Sequence, residues 1–106
     1  MPKYLIQGSY STDGVKGLIK DGGTKRRAAI EAMMKAVGGK VEAFYYSFGD
    51  HDVFVVVDGP DNVTAAAVSL AVNASGAVSL KTTPLLTPEE IDQATKKTVG
   101  YRAPGQ

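Results

Sequence analysis

The sequence predicts an α+β fold of the ferredoxin-like kind, β-α-β-β-α-β with one further helix after it. Three observations carry that expectation. Short stretches rich in valine, isoleucine, phenylalanine and tyrosine alternate with two longer segments whose apolar residues recur at helical spacing. The two middle strands are joined only by Gly49-Asp50-His51, a link short enough to make them an antiparallel hairpin. Glycine-centred breaks at Asp21-Gly22-Gly23, Gly38-Gly39, Asp58-Gly59-Pro60 and Ser75-Gly76 separate the elements, so the order reads as a split βαβ unit.

Each element has its own signal. Tyr4 to Tyr10 alternates Tyr4, Ile6 and Tyr10 against Leu5, Gln7 and Ser9, a strand with a polar second face. Ser11, Thr12 and Asp13 offer N-caps for a short helical turn over Val15 to Lys20. Thr24 is the expected cap of a longer helix with Ile30, Met33, Met34 and Val37 on one face, closed by Gly38-Gly39. Val41 to Phe48 and Asp52 to Val57 are the hairpin strands. Asp61 caps a helix whose inner face is Val63, Ala66, Ala67, Leu70, Ala71 and Ala74, and Ala77 to Thr83 is the last strand. Thr87-Pro88-Glu89-Glu90 combines a cap, a proline at the first helical position and a capping box, so a final helix is expected to run to about Thr98. Residues 1–99 form one domain and 100–106 a polar tail.

Composition narrows the function. Twelve basic and eleven acidic residues give a net charge of +1, so no global field favours nucleic acid or an anionic membrane, and neither partner is expected. The absence of cysteine excludes disulfides, thiolate nucleophiles and thiol redox chemistry. No apolar run approaches the roughly 20 residues that span a bilayer, and Met1-Pro2-Lys3 runs straight into a strand, so a cytoplasmic protein is expected.

A four-stranded sheet with both helices on one side leaves its other face open. The hairpin is apolar on both sides, with Val53, Val55 and Val57 on one and Phe54 and Val56 on the other. Such a face is seldom left in water, and a second copy across a two-fold axis is the expected cover, giving a homodimer or a larger homo-oligomer. The alternative cover is the C-terminal helix, although Lys96-Lys97 and its few apolar residues make it thin.

Gly38-Gly39-Lys40-Val41-Glu42, Phe44-Tyr45-Tyr46, Phe48-Gly49-Asp50-His51-Asp52-Val53 and Pro60-Asp61 together resemble the GYD-domain family. The opening Tyr10-Ser11-Thr12-Asp13-Gly14-Val15-Lys16-Gly17-Leu18 and the closing Leu86-Thr87-Pro88-Glu89-Glu90 fit it as well, so the similarity covers nearly all of the chain to about Glu90. The family's naming pattern has a tyrosine between glycine and aspartate; here Gly49 and Asp52 match and His51 takes the tyrosine's place. The resemblance implies a dimeric α+β barrel. It implies no particular reaction, since related barrels range from cofactor-independent monooxygenases and isomerases to haem-handling and stress-response proteins.

The candidate site residues gather in two places. Asp50-His51-Asp52 holds the only histidine, the side chain type that titrates nearest neutral pH, and His51 with Asp52 is the candidate catalytic pair for proton transfer. The plainer reading makes this segment a hairpin turn with His51 standing in for tyrosine. Arg26 and Arg27 follow Gly22-Gly23-Thr24 in the first turn of a helix, where they either meet an anionic ligand or form a charged surface; the resemblance favours Arg26. Tyr10, Tyr45 and Asp50 complete the candidate ligand-binding set, with the aromatic residues otherwise serving core and interface. No ligand spacing suggests a metal, no motif suggests a cofactor, and no serine has a nucleophile–base signature. A small-molecule-binding barrel and a non-catalytic assembly protein are the two functional readings.

Overall fold

The computed structural model describes residues 1–106. Its elements are β1 (Lys3–Tyr10), α1 (Thr12–Asp21), α2 (Gly23–Ala36), β2 (Lys40–Tyr46), β3 (Val53–Asp58), α3 (Asn62–Ala74), β4 (Val78–Leu85) and α4 (Pro88–Thr95). The strands form one antiparallel sheet in the order β2-β3-β1-β4. This is the α+β, ferredoxin-like arrangement expected from the element order.

The pairing of β1 with β3 fixes which residues face the helices. Tyr4 lies opposite Val57, Ile6 opposite Val55 and Gly8 opposite Val53, so one pleat collects the apolar row. These side chains, with Met34 of α2 and Val68 of α3, are the buried core. Each such side chain removed from water contributes roughly 1.5–3 kcal/mol, which makes this row the main stabilising feature of the sheet. The Tyr4 hydroxyl reaches out of the core and donates to Asn62 Oδ1 at 2.6 Å, tying the sheet to the start of α3.

β2 departs from simple alternation. Its register shifts between Val41 and Ala43, so Val41 lies opposite Val57 while Phe44 and Tyr46 lie opposite Val55 and Val53. The extra residue, Glu42, is a bulge that returns Phe44 and Tyr46 to the same face as Val41. Glu42 meets Lys3 Nζ at 2.7 Å, and Lys3 also meets Asp58 at 2.7 Å, which ties β1 to β3 and to the edge strand β2 on the open face.

Element boundaries follow local hydrogen bonding. Ser11 is the N-cap of α1, accepting from Gly14 N–H, so that helix starts at Thr12, three residues before Val15. Gly22, at φ 84°, both ends α1 and caps α2. With no linker between the helices, Thr24 falls inside the first turn of α2 and does not cap it; only glycine enters such a backbone conformation without strain. The hairpin closes where Ser47 N–H donates to the Asp52 carbonyl at 2.7 Å, leaving Phe48 fully exposed beyond β2. Asp61 caps α3 through Thr64 N–H at 2.7 Å. The capping box of α4 forms in both directions between Thr87 and Glu90, and the helix ends at Thr95.

α2 lies along β2 and α3 along β4, while α4 packs along no other element. Its Ile91 and the flanking Leu86, Val99 and Tyr101 are exposed. The radius of gyration of 17.0 Å exceeds the roughly 13 Å of a compact chain of this length, and the longest dimension is 57 Å, so α4 and the tail form an arm. The sheet face opposite α2 and α3, carrying Leu5, Ala43, Tyr45, Phe54, Val56 and Thr83, has no cover within the chain.

Two glycines of α1 give opposite expectations. A Cβ on Gly14 falls 2.0 Å from the Ala77 carbonyl oxygen, because α1 docks on the backbone at the start of β4, and Ser11 N–H also donates to that oxygen at 2.9 Å. Gly14→Ala therefore destabilises by about 3 kcal/mol. Gly17 meets nothing within 4 Å, and Gly17→Ala stabilises by about 0.5–1 kcal/mol through helix propensity alone. Urea unfolding of the two variants reads both signs, and a neutral Gly14→Ala refutes the docking of α1 on β4.

Candidate functional site

The two long helices leave a space between them over the sheet. It is an apolar cavity of ≈ 350 Å³, lined from α3 by Val68, Ala71 and Val72. Ile30 and Met33 of α2, Phe44 of β2, Val72 of α3 and Leu80 of β4 form its walls. Its polar lining is confined to Tyr10, Arg26 and Ser75. Ser75 is occupied, donating to the Val72 carbonyl at 2.6 Å and accepting from Ala77 N–H at 3.2 Å.

Tyr10 and Arg26 belong to a cluster at one end. Tyr10 also lines a neighbouring recess of ≈ 330 Å³ with Leu18, Tyr46 and Asp52. The Asp52 carboxylate accepts from Tyr10 N–H at 2.8 Å, and Asp52 N–H donates to the Gly8 carbonyl at 2.7 Å, so the end of the hairpin is bound to the end of β1. Tyr46 donates its hydroxyl proton to the Gly23 carbonyl at 2.9 Å, which leaves its oxygen as an acceptor toward Tyr10. Burial pushes the Tyr10 phenol above its ordinary value; Tyr46 and Asp52 act in the same direction and the Arg26 charge opposes them. Burial also raises Tyr46, against the pull of Arg26. Both phenols are therefore neutral near pH 7.

Arg26 has no carboxylate within ion-pair distance, whereas Arg27 pairs with Glu31 at 3.7 Å and Lys25 with Asp21 at 4.0 Å. Half-buried Arg26 turns toward the cavity; exposed Arg27 lines a shallow recess with Tyr45 and Tyr46 instead.

His51 lies on the other side of the sheet. Its Nδ1 is 3.3 Å from Ser9 Oγ, and its ring meets Phe54 edge-on at 6.0 Å between centroids. The Ser9 hydroxyl donates its one proton to the Asp50 carbonyl at 3.1 Å, so Nδ1 is the donor to Ser9. Asp52 is thus turned to the helix face and His51 to the open face, and they form no hydrogen-bonded pair. Asp50 is exposed and contributes its carbonyl; Tyr45 is exposed on the open face, opposite Phe54. Of the candidate residues, the structure brings together Tyr10, Arg26 and Asp52, and it separates them from His51, Asp50, Tyr45 and Arg27. Ala71 was not singled out for a site. The signal available for Ala71 was the run of small residues on α3, which reads first as close packing. No group of three or more histidine or carboxylate side chains is arranged to hold a metal ion.

The model of the GYD domain matches residues 4–95, from the start of β1 to the end of α4. No curated protein and no solved structure matches the chain.

The raised phenol values set an alkaline limit to stability. A folded state that holds the phenolic proton more tightly than the unfolded chain keeps this contribution below pH 10 and loses it as the pH rises toward the higher folded values. Stability is expected to fall above about pH 10, and Tyr10→Phe to make that fall shallower. Urea unfolding across this range measures it; an unchanged slope in Tyr10→Phe contradicts the assignment.

Proposed function

The chain belongs to the GYD-domain family, and from that premise we propose that it binds a small, largely apolar molecule in the cavity between α2, α3 and the sheet. The cavity itself carries this reading. At ≈ 350 Å³ it falls in the range of small-molecule sites, and it combines apolar walls with a few polar groups at one end. Of the hairpin residues, Asp52 reaches this end through Tyr10, whereas His51 faces away, so the reading rests on binding and assigns His51 no proton transfer.

Thermal-shift measurements with 1-naphthol, 1-naphthamide and 1-naphthoate test it, because a ligand of the native state raises the unfolding temperature. At least one compound is expected to do so in the wild type and in His51→Tyr, and to lose its effect in Ala71→Phe, which fills the cavity from α3. No shift with any compound, or an equal shift in Ala71→Phe, refutes binding in this cavity.

The proposal extends to a homodimer formed through the open sheet face. Leu5, Phe54 and Val56 on that face and Ile91, Val99 and Tyr101 on the arm are two unmatched apolar surfaces of one chain. A two-fold axis lets each satisfy the other copy, with the sheets face to face and the arms reaching around. Light scattering is expected to give twice the chain mass of 11.1 kDa, reverting to a single chain for Val56→Asp. Truncation after Leu85 is expected to weaken the dimer at least tenfold. A monomeric wild type overturns the dimer; an unaffected truncation overturns the role of the arm. The alternative function, assembly with an unused cavity, draws on these same two surfaces and predicts a dimer with no cavity ligand.

A further inference from the structure

Arg26 gives the cavity a chemical preference. It is half-buried, it lines a space whose walls are otherwise almost wholly apolar, and no carboxylate lies within ion-pair distance of it. The other cations of that helix turn are placed differently: Lys25 is near Asp21 and Arg27 is near Glu31, and neither lines the cavity. The one carboxylate in the neighbouring recess, Asp52, is held by the Tyr10 backbone N–H at 2.8 Å. A guanidinium beside an apolar space loses water on that side and gains most from an anion that brings its own apolar body.

We propose that the ligand is an amphipathic monoanion, an aromatic or branched carboxylate whose apolar part fills the cavity while its carboxylate accepts from Arg26. This deepens the cavity reading and rests on it. Arg26 supplies a planar fork of donors suited to a carboxylate, and a lysine would supply a point charge in its place. The Tyr10 ring also lines this end, but its one hydroxyl proton is turned to the Tyr46 oxygen, so Arg26 is the donor to the carboxylate. The walls select shape, since Met33 and Ile30 are flexible aliphatic surfaces and Phe44 offers a flat one. A dianion such as a phosphate monoester is disfavoured, because Arg26 alone faces the cavity and Asp52 adds negative charge nearby.

Calorimetric titration of the full chain with 1-naphthoate and with its neutral isostere 1-naphthamide tests this inference separately from the cavity reading. The wild type is expected to bind the carboxylate about tenfold or more tightly than the amide, the difference a charged hydrogen bond makes. Arg26→Gln is expected to bring the carboxylate down to the level of the amide and to leave the amide unchanged, and Arg26→Lys to recover part of the difference. Equal binding of carboxylate and amide by the wild type, or an undiminished preference in Arg26→Gln, overturns the anion assignment while leaving the cavity reading intact. Failure of both compounds to bind the wild type overturns the two together. A parallel loss of both ligands in Arg26→Gln assigns the residue a structural role and also overturns the inference.

Discussion

The antiparallel register between β1 and β3 is the constraint on which the rest of the structure depends. It puts Tyr4, Ile6, Val53, Val55 and Val57 in one row, and this row is the surface on which α2 and α3 settle. With period-two alternation, a slip of one residue would turn the whole row outward, so burial and register enforce each other. The same pairing sends Leu5, Phe54 and Val56 to the opposite face, where the chain has no element left to cover them.

That one-sided coverage produces two different apolar surfaces. The inner one is covered by α2 along β2 and α3 along β4, two helices that stand apart over the sheet. α3 turns Ala65, Val68 and Val72 to the core, while Val63 and Leu70 of the expected inner face are exposed, and the gap between α3 and α2 is the cavity. A close-packed core would have used larger residues there, since an unfilled space of this size loses the contacts of every atom that lines it. The outer surface is broad and shallow, suited to another sheet. Cavity and open face are separated by the thickness of a single sheet, which is why Asp52 and His51, adjacent in sequence, serve different surfaces.

The polar end of the cavity is assembled from four elements. β1 contributes Tyr10, α2 Arg26, β2 Tyr46, and the hairpin Asp52. Backbone groups hold two of these in place: Asp52 through Tyr10 N–H and the Gly8 carbonyl, and Tyr46 through the Gly23 carbonyl. The Glu42 bulge matters here, because without the added residue Tyr46 would point away from the helices. Gly22 matters as well, since its positive φ joins α1 directly to α2 and sets where the first turn carrying Arg26 begins.

The sequence by itself determined the strand and helix order, the antiparallel hairpin, the caps at Asp61 and Thr87, and the open apolar face. All of these rest on periodicity and local hydrogen-bonding chemistry, which act over a few residues. Arg26 and Tyr10 were legible as chemistry-bearing residues, but their meeting was not, because they are brought together by the packing of α2 against the sheet. In Asp50-His51-Asp52 the alternation of extended backbone already sets His51 opposite its carboxylate neighbours, and the Asp52 contact with Tyr10 N–H fixed which side of the sheet each took. Only the tertiary structure decided that α2 and α3 stand apart, because helix separation depends on the side chains of both helices and of the sheet at once. The open face seen in the sequence therefore remains as it was read, and the cavity on the other face is what the packing of the helices added.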